Sequence, residues 1–180
     1  MRVVAIVGMA GAGKSEVARV FEEHGFKKVR FGDITDEELK NRKLEPNEEN
    51  ERHVRQQLRK KHGMAAYAKL NLPTIDSALK SSNVVVDGVY SWEEYILLKE
   101  RYGEKLGVLA VWASPSIRHT RLAHRTERPL TLEEAANRDK SEIENSNKGG
   151  PIAIANFTIV NEASMKELKK ETERILSDLK

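Results

Sequence analysis

Eight residues near the start hold the densest chemistry in the sequence. Gly8-Met9-Ala10-Gly11-Ala12-Gly13-Lys14-Ser15 fits the pattern G-x-x-x-x-G-K-[ST], and each part of that pattern has a physical reason. Glycines let the backbone turn back so that successive N–H groups point into one hollow. A helix N-terminus beside the hollow adds positive potential, and the two together favour phosphate. Lys14 has the reach for β- and γ-phosphate oxygens, and the Ser15 hydroxyl suits Mg²⁺. The stretch is therefore expected to cradle ATP with Mg²⁺. A chance Gly-rich turn is the competing reading, and the apolar run before it and the helical pattern after it count against chance.

Two acids stand where strands should end. Asp87 closes the run Val84-Val85-Val86-Asp87. A carboxylate is costly inside a sheet and useful at its rim, where it can orient a Mg²⁺-bound water beside an acceptor. The plainer alternative is a turn aspartate before Gly88. That glycine stands where many ATPases carry a catalytic Glu, which disfavours a motor or an AAA-type ATPase. Asn147-Lys148 runs into Gly149-Gly150, not into the N-K-x-D of guanine recognition, so a GTPase switch is disfavoured too. Asp33, in Phe31-Gly32-Asp33, is placed to take a proton from an acceptor hydroxyl, or else to cap a helix.

Cations complete the set. Arg118, Arg121, Arg125 and Arg128 recur at spacings of three and four, one face of a helix from Ser116 to Arg128, and Arg138 follows on the next helix. A row of like charges is unfavourable unless anions share it, and guanidinium groups stabilise the charge that develops during phosphoryl transfer. Arg121, Arg125 and Arg138 are the catalytic candidates of this lid region, 118–138. Arg52, Arg55 and Arg59 are placed to hold an acceptor's phosphate. Solvated, acid-paired faces are the alternative for both groups. The five histidines show no metal-ligand spacing.

These residues need a frame. Arg2–Val7, Phe26–Phe31, Asn83–Asp87, Leu106–Ala113 and Ala155–Asn161 read as strands, the central ones buried on both faces. Helical spacing runs over Lys14–His24, Trp92–Tyr102, Thr131–Asn145 and Ser164–Leu179. Thr131 with Glu134, and Ser164 with Glu167, have capping-box spacing. A polar insert from 36 to 82 is expected to be helical, broken at Pro46 and Pro73. Alternating strands and helices predict an α/β fold, a five-stranded parallel sheet with helices on both faces. Ligands in such sheets sit beyond the carboxyl ends of the strands.

Composition sets bounds. A chain of 180 residues can form one domain with a real core. Its 31 basic and 28 acidic residues interleave, so the net charge of +3 marks no nucleic-acid-coating block. Cysteine is absent, which removes disulfides, thiol nucleophiles and Cys-ligated zinc. The missing Cys, the high charge and only two glutamines suit a heat-adapted protein. No apolar run approaches a membrane span, the glycine-cut N-terminus does not read as a signal peptide, and a cytoplasmic location is expected.

Four stretches carry a resemblance. IVGMAGAGKSEVARVFEEHGF, VVVDGVYSWEEY, RLAHRTERPLTLEEAANRD and ANFTIVNEASMKEL are similar to the nucleoside-monophosphate-kinase group of P-loop proteins. Within that group the likeness is to an archaeal family described as adenylate-kinase-related or dephospho-CoA-kinase-like. It implies ATP at Gly8–Ser15, an acceptor-side acid at Asp33, and lid arginines at Arg121, Arg125 and Arg138. The insert departs from both patterns. The expected activity is ATP–Mg²⁺-dependent phosphoryl transfer to a small nucleotide-like acceptor, AMP first and dephospho-CoA second. The alternative is an ATP-binding regulator or weak ATPase associated with nucleic acid or ribosomes.

Overall fold

The computed structural model describes residues 1–179. Strands and helices alternate: β1 (Val3–Val7), α1 (Lys14–Glu23), β2 (Lys27–Arg30), α2 (Asp33–Asn41), α3 (Glu48–His62), α4 (Ala66–Ala78), β3 (Val84–Asp87), α5 (Trp92–Tyr102), β4 (Leu106–Trp112), α6 (Pro115–Ala123), α7 (Leu132–Glu144), α8 (Gly149–Ala153), β5 (Phe157–Val160) and α9 (Met165–Asp178). All pairings are parallel and the strand order is β2-β3-β1-β4-β5. β1 is central, so every residue from Val3 to Val7 is buried, as its unbroken apolar run requires.

Two apolar layers sandwich the sheet. Val4, Ile6, Val85, Leu109 and Ile159 pack under α1 and α9, against Val17, Phe21, Leu168 and Ile175. Val3, Ala5, Val7, Val86, Val108 and Ala110 face the other way, against Leu39, Val54, Leu58, Tyr67, Ile75 and Leu98 of α2 to α5. Both expected capping boxes form: Thr131 with Glu134 opens α7, and Ser164 with Glu167 opens α9.

Besides the short helix α8, which no spacing announces, the structure differs from the sequence expectation in two places, one in the insert and one in the lid region. Pro73 lies inside α4 and does not end it. Its missing N–H forfeits one helical bond, while Tyr67, Asn71 and Ile75 bury one side of the helix and hold it together. The arginine helix is shorter than Ser116–Arg128. α6 ends at Ala123, and the chain turns back so that Leu130 N–H meets Leu122 O at 3.2 Å. Leu122 and Leu130 thereby bury against Ala10 and Ala135. That apolar clasp outweighs continued helix, leaves Arg125 and Arg128 in a loop, and holds Arg128 at a φ of 54°.

Candidate active site

The phosphate loop joins β1 to α1 at the carboxyl edge of the sheet. Glycine is needed there for two separate reasons. Gly11 has φ 79°, and a Cβ on it would lie 2.6 Å from Arg118 O. Gly13 caps α1 at φ 101° and leaves no room for a Cβ beside the Asn161 amide. Side chains tie down the loop's carbonyls: Asn161 Nδ2 donates to Ala12 O at 2.8 Å, and Arg118 Nη1 to Ala10 O at 3.1 Å. Arg118 is itself buried and held by a bidentate pair to Asp139, both contacts 2.7 Å. Among the described residues no backbone or side-chain acceptor meets the N–H groups of Gly11, Gly13, Lys14 and Ser15. Four unclaimed amides, a helix N-terminus and an ammonium form a donor set that fits a polyphosphate.

Lys14 Nζ donates to Met9 O at 3.0 Å. Burial, and next the Lys148 ammonium, pull its pKa down to about 7, against the opposing pull of Glu142 and Asp87. Asp87 is buried at the end of β3, in register with Ile6 and Arg30. Ser15 is exposed on the first turn of α1. A hydroxyl and a carboxylate at one sheet edge are oxygen donors suited to Mg²⁺.

Past this edge opens a cleft of about 490 Å³. α3 supplies Glu48, Glu51, Arg52, Arg55 and Arg59 to its wall; the opposite wall comes from Arg128, α7 and Lys148. Ion pairs cross it. Arg128 Nη1 reaches Glu51 at 2.6 Å and Asp36 at 3.1 Å. Arg138 Nη1 reaches Glu48 at 2.9 Å, and its Nε reaches Glu142 at 3.3 Å. Glu48 and Glu51 also take Arg55, at 2.6 and 3.1 Å. Burial disfavours the charge of Arg138, and Glu142 and Glu48 overcome it, so its pKa is raised.

Other arginines have no acid partner among the described residues. Arg59 lies over the Tyr67 ring, 5.9 Å from its centroid, with a buried Nε that has no acceptor. Arg52 makes no ion pair and lines the cleft. Arg125 makes none either, and burial and then the nearby Arg138 lower its pKa. Arg121 donates Nη2 to Asn161 O at 2.9 Å and leaves a buried Nη1 unpartnered.

The structure thus brings Gly8–Ser15, Asp87 and Arg121 to one edge and places Arg52, Arg55, Arg59 and Arg138 along the cleft. Asp33 sits apart from the cleft lining. It opens α2 with an exposed carboxylate bonded to Arg30 at 2.7 Å, and Asp36, three residues on, is the acid of α2 that lines the cleft. Several roles escape sequence reading: Asn161 as a brace of the loop, Arg118 of the arginine row as a second brace held by Asp139, and Glu142 with the buried Lys148 and Glu94. Glu94 is fully buried. One oxygen accepts Tyr90 N–H at 2.7 Å and the other has no partner; burial pushes the carboxyl up to about 7. Asn161 alone had a usable signal, its place at a strand's carboxyl end.

A parallel sheet ordered this way, with a glycine loop at its central strand, defines a P-loop kinase-like protein. Solved structures agree on the fold. TT1252 from Thermus thermophilus superposes with a TM-score of 0.63 at 19% identity, covering 99% of this chain and 98% of that one. A shikimate kinase from Bacteroides thetaiotaomicron gives 0.63 at 11%, covering 98% of each chain. A gluconokinase from Sinorhizobium meliloti gives 0.61 at 15%, covering 99% and 93%. A family model described as an AAA domain matches residues 4–147. UPF0200 protein TK1334 of Thermococcus kodakarensis is 36% identical over 181 residues, 98% of this chain and 97% of the relative. UPF0200 protein Mbar_A0975 of Methanosarcina barkeri is 34% identical over 180 residues, 99% and 96%. The chain belongs to the AAA-domain family that this model describes and to the UPF0200 proteins. The family description carries the AAA label that Gly88 argued against; the membership stands, and Gly88 still offers no carboxylate after Asp87. Among the described residues no helix is long and apolar enough to cross a membrane, and no cluster of three or more His, Cys, Asp or Glu is arranged for a metal ion.

Proposed function

We propose that the chain is an ATP–Mg²⁺-dependent kinase acting on a small nucleotide-like acceptor, with AMP first and dephospho-CoA second. One observation carries this reading: unclaimed loop amides beside Lys14 stand at the carboxyl edge of the sheet, and a cleft lined by Arg52, Arg59, Arg138 and Lys148 has its two walls bridged by ion pairs. A kinase must exclude water or it hydrolyses ATP, and Arg128 and Arg138 supply bridges that draw the walls together. The loop amides and Lys14 grip the phosphates, and Ser15 and Asp87, the latter through water, would hold Mg²⁺. Bound there, the ion would neutralise charge on the β- and γ-oxygens. Arg121 and Arg125 stand unpaired on the lid side to meet charge that develops in transfer. Arg52 and Arg59 do the same for an anionic acceptor.

The acceptor decides what the acids do. A phosphate acceptor such as AMP is already a nucleophile and needs no base. A ribose hydroxyl, as in dephospho-CoA, needs one, and Asp33 or the better placed Asp36 would serve. The regulator reading loses ground because Arg128 and Arg138 are committed to carboxylates across a cleft, where a phosphate backbone could not run along them, and Arg55 to two on its own helix. An ADP-release assay over AMP, CMP, UMP, GMP, dephospho-CoA and nucleosides tests the proposal, with Lys14→Ala as the inactive control. Acceptor-stimulated ADP release supports it. Salt-dependent RNA or DNA binding with no stimulation by any of these acceptors favours the regulator.

A further inference from the structure

Lys148 belongs to no motif, and the active-site reading above gives it no role. Yet it is one of the most buried side chains in the molecule, 2% exposed. Its Nζ donates to Glu142 at 2.7 Å and lies 5.3 Å from the centroid of the Tyr90 ring. That ring fixes its position. Tyr90 packs on Gly88, where a Cβ would meet the Tyr90 hydroxyl at 2.9 Å, and Gly88 N–H bonds to Ile6 O at 3.2 Å, two residues before the phosphate loop. Lys148 therefore stands over the turn that leaves Asp87, at the sheet edge that carries the loop, and it also lines the cleft.

Neutralising Glu142 does not explain it, since Glu142 already has Arg138. A buried ion pair seldom repays its own desolvation, so a second cation on one acid is a poor structural device. The fold links it to Lys14: Tyr90, under the Lys148 ammonium, packs on Gly88, and Gly88 bonds to β1, the strand that leads into the loop bearing Lys14. Two ammonium groups that disfavour each other have one shared remedy, an anion that both can reach.

We propose that Lys148 is a second phosphate-binding cation of the transfer site, facing the γ-phosphoryl group from the side opposite Lys14, with Glu142 and Tyr90 as its positioning residues. This rests on the phosphoryl-transfer reading and deepens it. ADP ends one phosphate short, so Lys148 acts on the triphosphate and leaves the diphosphate alone.

The test compares Kd for ADP and for a non-hydrolysable ATP analogue with an imido β–γ bridge, both with Mg²⁺, by calorimetry. Lys148→Met is expected to weaken the triphosphate analogue by about tenfold and ADP by less than about twofold. Lys148→Arg, which keeps the charge, is expected to recover most of the loss. Should Lys148→Met fail to fold, the double variant Lys148→Met with Glu142→Gln removes both buried charges, and the same ratio is read from it. Equal loss for both nucleotides, or no loss for either, overturns the assignment and leaves the kinase reading standing. If the wild-type chain binds neither nucleotide, the phosphate-loop reading fails and takes this one with it.

Discussion

The phosphate loop and the cleft beyond it are built from different materials. The phosphate loop is main chain: positive-φ glycines, free amides and carbonyls tied down from behind by Asn161 and Arg118. The cleft is walled by long side chains, joined across it by pairs such as Arg128–Glu51 and Arg138–Glu48 whose partners lie 77 and 90 residues apart. A backbone hollow is preorganised and costs nothing to reorganise when phosphate arrives. Paired arginines must give up a carboxylate before they take a phosphate. On the proposed function, the loop sets where the nucleotide sits and the ion pairs set when the cleft is shut.

That contrast can be broken or sharpened by experiment. The largest effect is expected at Lys14: Lys14→Ala should lower acceptor-dependent turnover about 10²–10³-fold with an unchanged circular-dichroism spectrum. Gly11→Ala strains the loop and drives a methyl toward Arg118 O, so thermal unfolding should report a loss of roughly 1–3 kcal/mol. At Tm this is about 2–4 °C per kcal/mol for a chain of this size. A side-chain change in the cleft should be gentler. Arg59→Ala is expected to raise the acceptor KM about tenfold while the ATP-analogue Kd stays put; a shift in both would erase the distinction between loop and cleft.

Glu94 tests the buried floor behind Arg59. Its carboxyl is raised to about 7 by burial, so the folded state holds a proton that the unfolded state releases near pH 4.3. The associated stability is complete below that value and is lost as pH climbs through 7. Glu94→Gln should remove this decline, raising stability at pH 8 by roughly 3 kcal/mol and leaving it unchanged at pH 4. The smallest effect belongs to Arg128→Ala, under about 1 kcal/mol at this partly exposed pair. It should appear as faster proteolysis between Ala123 and Leu130, with the gap to wild type narrowing at high salt.

What the sequence discloses follows the same division. The glycine loop, the buried strands and both capping boxes are local, because each depends on residues within a few positions of one another. The α6 boundary departs from the arginine spacing because it depends on Leu122 and Leu130 closing over Ala10, a contact that spacing cannot report. Pro73 misled for a related reason: its local penalty is real, and burial of Tyr67 and Ile75 outweighs it. Arg52, Arg55 and Arg59 could be placed on one helix from their spacing. That Arg55 is spent on Glu48 and Glu51 while Arg59 is left without an acid depends on rotamers and on α4. Lys148 had no signal at all, since only the fold brings it over Tyr90.

The strand order has a consequence for how the molecule is made. β1 leaves the ribosome first, yet its sheet neighbours β3 and β4 begin at Val84 and Leu106, and the amide that pins the phosphate loop comes from Asn161. A nascent chain therefore carries its glycine loop without support until those later segments emerge. The loop is thus made before the strands and the amide that complete its geometry.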